Sequence, residues 1–106
     1  MSKRWFQAHQ RDTWRRQAHS KGYRARSAFK LKQIQEKFSL IREGDLVLDV
    51  GSHPGGWTQV SVEETGPNGL VIGIDLLASA PVEGAQMVIG DVTELTSQDA
   101  ILELLQ

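Results

Sequence analysis

The chain of 106 residues has no cysteine, so neither a disulfide framework nor a thiolate metal site is open to it, a usage that fits a reducing compartment. It also lacks any apolar run near the ~20 residues of a membrane span, and no hydrophobic signal core follows its basic start. A cytoplasmic protein with no membrane partner is therefore expected. Its three prolines, Pro54, Pro67 and Pro81, all sit in stretches that read as turns or loops. His9, His19 and His53 lack the spacing of a metal-ligand set, and no metal is expected. Internal repeats and low-complexity tracts are missing too. The length predicts one domain, short for a doubly wound sheet.

Acidic residues are scarce at one end only. Residues 1–32 hold ten Lys or Arg against Asp12 alone, a net +9, whereas residues 33–106 hold two against twelve acids, a net −10. The formal charge of −1 conceals that segregation. A basic arm on an acidic body points to a polyanionic partner for the arm. Trp5, Phe6, Trp14 and Tyr23 are interleaved with the arm's charges, and rings among cations can stack bases while phosphates are neutralised. RNA or another nucleic acid is the expected partner. The plainer alternative is a solvated helix with snorkelling Lys and Arg stems.

Punctuation and periodicity order the rest. Residues 1–26 read as the arm, with a helical stretch around 5–19 and a stop at Gly22. Ser27 is placed to cap a helix over 27–38, in which Ala28, Leu31, Ile34 and Phe38 share one apolar face. A turn at 42–45 leads to a strand over 46–50, a helix over 56–64, a loop at 66–69 and a second strand over 70–74. A loop over 76–84 precedes a short third strand, 86–89. Ser97 is a candidate cap for a closing helix over 97–106 with Ile101, Leu104 and Leu105 as its apolar face. With right-handed crossovers this order gives an α/β fold whose parallel sheet runs 3-2-1. The first strand is apolar enough to be covered on both faces, yet it would lie at an open edge. The expectation is that residues 27–106 are the first half of a doubly wound domain, or that a partner or second copy covers the edge.

One junction carries the chemistry. The run Val47-Leu48-Asp49-Val50-Gly51 ends a strand, turns through Pro54-Gly55-Gly56 and re-emerges with helical spacing at Trp57. At such a strand-to-helix turn glycines let a ligand approach the backbone, and the helix end offers unpaired N–H groups. A second acid, Asp75, closes the next strand, 24 positions after Gly51, where an acid takes ribose hydroxyls in dinucleotide sites. An adenosine-sized ligand is the natural occupant. The loop is Gly-x-x-x-Gly-Gly, without the Gly-x-Gly-x-x-Gly fingerprint. That spacing and the basic arm both argue against a nicotinamide-dependent oxidoreductase.

Read with Arg24-Ala25-Arg26-Ser27-Ala28-Phe29-Lys30-Leu31, the glycine loop becomes specific. The chain resembles the FtsJ-type (RlmE-like) ribosomal RNA large-subunit 2′-O-methyltransferases over residues 20–106. The shared motifs are Phe29-Lys30-Leu31, Leu48 to Val60, Ile74-Asp75-Leu76 and Gly90-Asp91-Val92, in the family order. Ser52-His53 depart from the pattern, which has small residues there. The family's later Asp, second Lys and Glu have no counterpart position in this chain.

The resemblance implies a Rossmann-like methyltransferase fold with S-adenosyl-L-methionine as methyl donor. The substrate would be ribosomal RNA or the large ribosomal subunit, and the target the ribose 2′-hydroxyl of a uridine. Gly51, Gly55, Gly56 and Trp57 would then line the turn against the donor's methionine and sulfonium portion, the glycines because a Cβ would collide with the ligand. Asp75 would take the ribose hydroxyls and Asp91 the adenine amino group. Asp49 would organise the loop through its backbone N–H groups. Lys30 lies beside the Leu31 and Ile34 stripe and would be the catalytic residue present, positioning the target hydroxyl electrostatically, since the second lysine is the favoured base. His53 is expected to pack or hydrogen-bond rather than exchange protons. The competing expectation is a piece that binds RNA and cofactor without turnover.

Overall fold

The computed structural model describes residues 22–106. The helix expected around 5–19, and with it Trp5, Phe6 and Trp14, lie outside the described residues. Helix α1 spans Ser27–Phe38. Ser27 does not cap it: the carbonyls of Ala25 and Arg26 take the N–H groups of Ala28 and Phe29 at 3.1 and 3.0 Å, so a preceding turn does the work of a side-chain cap. The helix stops where Ser39 turns left-handed and donates its N–H to the Gln35 carbonyl. The Gln35 side chain then brackets Ile41, accepting from its N–H at 2.7 Å and donating to its carbonyl. Arg42 N–H on Asp45 Oδ2 (2.9 Å) closes the next turn.

From there the chain runs through β1 (Leu46–Val50), α2 (Gly56–Thr65), β2 (Leu70–Asp75), β3 (Ala85–Ile89) and α3 (Leu95–Leu104). The strands form one parallel sheet in the order β1-β2-β3, the α/β arrangement and strand order expected. Helix α3 begins two residues before its expected cap. Ser97 is inside it and buried, packed against Gly90 so closely that a Cβ there would overlap the Ser97 hydroxyl.

Residues in register on parallel strands share a face of the sheet. Leu48 pairs with Ile72 and Val50 with Ile74, so β1 and β2 present one apolar face together. Helix α3 covers the β2 and β3 part of it, where Ile72, Ile74 and Ile101 are buried among Leu70, Val88, Val92 and Leu104. It leaves Leu46, Leu48 and Val50 at 57%, 44% and 57% exposure. On the other face Val47 packs with Tyr23, Ala28, Leu31, Ile41 and Val60 under α1 and α2. Helix α2 approaches the sheet closely because its inner side is small: Thr58, Ser61 and Thr65 are buried, and the last two return their hydroxyls to carbonyls one turn back at 2.8 Å.

Three expectations change. Phe38 is exposed and Ile34 only half-buried, so the α1 stripe is covered at its first turns alone. Leu105 falls beyond α3 and is exposed. The folded body also begins before residue 27. Tyr23 is a core residue rather than a base-stacking one: it is buried, meets Phe29 edge-on at 5.5 Å, and donates its hydroxyl to the Glu63 carboxylate at 2.6–2.7 Å. Burial, then that carboxylate, push its hydroxyl pKa up.

Candidate cofactor site at the strand ends

The turns that follow the three strands are stitched to one another. Gly51 and Ser52 both donate their N–H groups to the Ile74 carbonyl (2.8 and 3.2 Å), and Gly90 donates to the Asp75 carbonyl at 2.9 Å. These bonds gather Gly51, Asp75 and Asp91 around one solvent-open hollow of about 200 Å³, with Val50, Leu76 and Val92 supplying apolar wall. Both acids are fixed in place. Asp75 accepts Leu77 N–H on Oδ1 at 3.0 Å and His53 N–H on Oδ2 at 2.9 Å, and these donors hold its carboxyl below the usual range. Asp91 accepts the Thr93 hydroxyl (2.7 Å) and N–H (2.9 Å) on Oδ1, which lowers its pKa as well. The hollow therefore offers two anchored anions, each with lone pairs to spare for hydroxyl or amino donors.

The glycines of the loop serve the protein's own packing. Gly55 sits at φ +114°, which favours glycine, and a Cβ there would lie 3.0 Å from Arg24 Nη1 and 3.1 Å from Val82. A Cβ on Gly56 would touch Ala25 at 3.4 Å. The neighbours that fill this space are thus Arg24, Val82 and Ala25, where the expectation put a ligand. Arg24 is no free cation of the arm: its guanidinium donates to the carbonyls of Pro54 (3.1 Å), Ala80 and Pro81. It thereby joins the glycine loop to the segment after β2.

Trp57 and Lys30 lie elsewhere. The Trp57 indole donates its N–H to the Ser27 carbonyl at 2.8 Å, tying α2 to the start of α1. Its ring lines a different hollow, of about 510 Å³, along the open side of β1 with Leu46, Leu48 and Val50. Lys30 is exposed on α1, one turn beyond Ser27, and is not among the residues lining the three-strand hollow. Asp49 acts through a side chain and not through backbone N–H groups: its Oδ2 accepts the Thr58 hydroxyl at 2.7 Å. Burial raises its pKa against the opposing effect of that bond, and the Asp75 charge raises it further.

Sequence reasoning missed Arg24, whose partners lie 30, 56 and 57 positions away and leave no local pattern. Thr93 could have been found, because a threonine two residues after an aspartate is a recognisable local hydrogen-bonding turn. Among the described residues no group of three or more His, Asp or Glu is placed to hold a metal ion, and no helix is long and apolar enough to cross a membrane.

Comparison with known proteins gives this geometry a context. The profile of the FtsJ-like methyltransferase family matches residues 23–106. Ribosomal RNA large subunit methyltransferase E of Alkalilimnicola ehrlichii is 45% identical over 105 residues, which cover 99% of this chain and 50% of that protein. Its namesake from Methanobrevibacter smithii is 40% identical over 107 residues, covering 99% and 51%. The chain thus spans about half the length of the curated relatives it matches. A crystal structure of a protein described as a ribosomal RNA methyltransferase from Plasmodium falciparum superposes with a TM-score of 0.65 at 29% identity, covering 78% of this chain and 49% of that one. The α/β sheet is that of a Rossmann-like methyltransferase fold.

Proposed function

Because the chain belongs to the FtsJ-like methyltransferase family, we propose that it forms the S-adenosylmethionine-binding part of an enzyme that methylates a ribose 2′-hydroxyl of large-subunit ribosomal RNA. The observation that carries this reading is the meeting of Gly51, Asp75 and Asp91 in one hollow at the ends of three parallel strands. The site fits the ligand's chemistry, since two anchored carboxylates face a pocket that also has an apolar wall. When bound, S-adenosylmethionine supplies an electrophilic methyl group on a sulfonium centre.

The chain's own residues bind and orient. Asp75 accepts the two ribose hydroxyls, and Asp91 accepts the adenine amino group. Gly51 borders the hollow and gives the methionine end a backbone floor, while Gly55 and Gly56 shape the turn that carries it. The Trp57–Ser27 bond holds α1, and with it Lys30, in fixed relation to the glycine loop. Lys30 orients the target hydroxyl by its charge, and the basic arm draws in RNA phosphates. The names of the relatives support ribosomal RNA as substrate, and a cytoplasmic location goes with that reading.

Isothermal calorimetry tests the cofactor half. S-adenosylmethionine binds and NAD does not; binding of NAD alone would end this reading. A second reading is favoured by the place of Lys30, which does not line the hollow: the chain binds RNA and cofactor without turnover. A methyl-transfer assay on unmodified ribosomal RNA separates the two. Turnover of ~1 s⁻¹ or faster, ordinary for enzymes, supports a working active site, and binding without transfer supports the second.

A further inference from the structure

The side chain of His53 is engaged, although the residue is exposed. Its Nδ1 lies 3.0 Å from Ser79 Oγ, across 26 positions, while its backbone N–H donates to Asp75 Oδ2 at 2.9 Å. We propose that His53 is a positioning residue: its ring, latched to Ser79, holds the glycine loop so that its own N–H sets the Asp75 carboxylate for a ligand's ribose hydroxyls. The inference rests on reading the three-strand hollow as the S-adenosylmethionine site.

The two donors on Asp75 differ in what they depend on. Leu77 N–H comes from the turn that Asp75 itself starts, two residues on, and that bond is local. His53 N–H comes from another loop, so its aim depends on how residues 51–55 sit against residues 76–84. Among the described residues, side-chain hydrogen bonds join those segments at two places. Arg24 binds Pro54, Ala80 and Pro81 from the side of α1, and the His53–Ser79 contact stands next to the carboxylate. With both oxygens held, the carboxylate presents its remaining lone pairs in set directions, and a preset acceptor discriminates better than a rotating one. A small residue at position 53 has no atoms to reach Ser79.

The test is calorimetric titration of S-adenosylhomocysteine and its 2′-deoxyribose analogue into the wild-type protein, His53→Ala, Ser79→Ala, the double variant and His53→Asn. The wild type prefers the ribose form. His53→Ala and Ser79→Ala each weaken S-adenosylhomocysteine about threefold to tenfold, the range of one neutral hydrogen bond, and leave the deoxy analogue nearly unaffected, so the preference shrinks. The double variant is no weaker than either single one, because both break the same contact. His53→Asn, whose amide can replace Nδ1, restores most of the preference. Unchanged melting midpoints show that folding is intact. A wild-type preference that survives in His53→Ala overturns the latch alone; a wild-type protein that binds neither nucleoside overturns the latch together with the site reading.

Discussion

Asp49 carries its charge where the fold disfavours it. Burial raises its pKa above the usual aspartate value, while the Thr58 hydroxyl offsets part of that effect. The folded state therefore keeps a proton that the unfolded chain has already lost, and stability falls as pH rises from the unfolded pKa through the raised one. Above that window the full loss is in place. Asn at this position keeps an oxygen for Thr58 without the charge. Asp49→Asn should raise the melting midpoint by a few degrees at pH 7, with the gain disappearing on acidification below the ordinary aspartate pKa; a midpoint no higher than wild type at pH 7 would contradict it. Asp75 and Asp91 behave oppositely. Their pKa values are lowered, by Leu77 and His53 N–H donors and by Thr93 respectively, so what they contribute is complete above the unfolded pKa and is lost as pH falls through the depressed values. Affinity for S-adenosylmethionine should accordingly be level between about pH 5 and 7 as far as these two acids set it. Asp75→Asn would turn an NH₂ toward either the His53 or the Leu77 donor, and binding should weaken about tenfold to hundredfold, the scale of charge-assisted bonds. Calorimetry across that pH range reads both effects.

The segments around the site hold together through contacts between elements, and Arg24 is the clearest of them. Its fork reaches three carbonyls on two loops, which a planar guanidinium can do and an aliphatic side chain cannot. Arg24→Met should cost about 1–3 kcal/mol in denaturant unfolding and speed amide hydrogen exchange at residues 51–55 and 79–82 above that in the β2 interior. Uniform change across the protein would mean that the clamp is not local. The same residue shows what a sequence can and cannot reveal. Every strand and helix over residues 27–106 was legible to within two residues, because apolar alternation, the 66–69 turn and the glycine loop are local signals. Gly51, Asp75 and Asp91 were legible as a set because parallel strands in sequence order must bring their ends together. The purpose of Gly55 was not, since its neighbour Arg24 lies 31 positions earlier and looked like one cation among ten. The core place of Tyr23 and the Trp57 bond to Ser27 were hidden for the same reason: an aromatic ring has no pattern in sequence that marks a core or bridging role. The serine caps failed because a preceding turn or a buried packing position outcompeted a local hydroxyl bond.

At the scale of the molecule two asymmetries matter, one of charge and one of cover. On the proposed RNA-binding reading, the net +9 of residues 1–32 against the net −10 of residues 33–106 predicts that Lys3, Arg4, Arg11, Arg15, Arg16 and Lys21 contribute much of the grip on phosphates. Deleting residues 1–21 should weaken RNA binding and flatten the slope of log K against log[salt] by up to about 4, some 0.7 for each single-strand phosphate that is no longer neutralised. An unaltered slope would place the RNA-binding surface elsewhere. The asymmetry of cover concerns β1. A parallel strand is normally sheltered on both faces, yet Leu46, Leu48 and Val50 stand 44–57% exposed at the end of the sheet, beside the apolar hollow that Trp57 lines. Among the described residues no strand pairs with the outer edge of β1, and the N–H and C=O groups along it add a template for strand pairing. In the 106-residue chain taken by itself, that edge is available to the β1 edge of a second copy, which would take up the backbone groups though not cover the face. Sedimentation equilibrium should then show concentration-dependent dimers for the wild type, and Leu48→Lys should return the protein to monomers. Because Leu48 is largely exposed, that substitution should shift unfolding by no more than about 0.5 kcal/mol. A wild type that stays monomeric up to high micromolar concentrations would rule out the self-pairing.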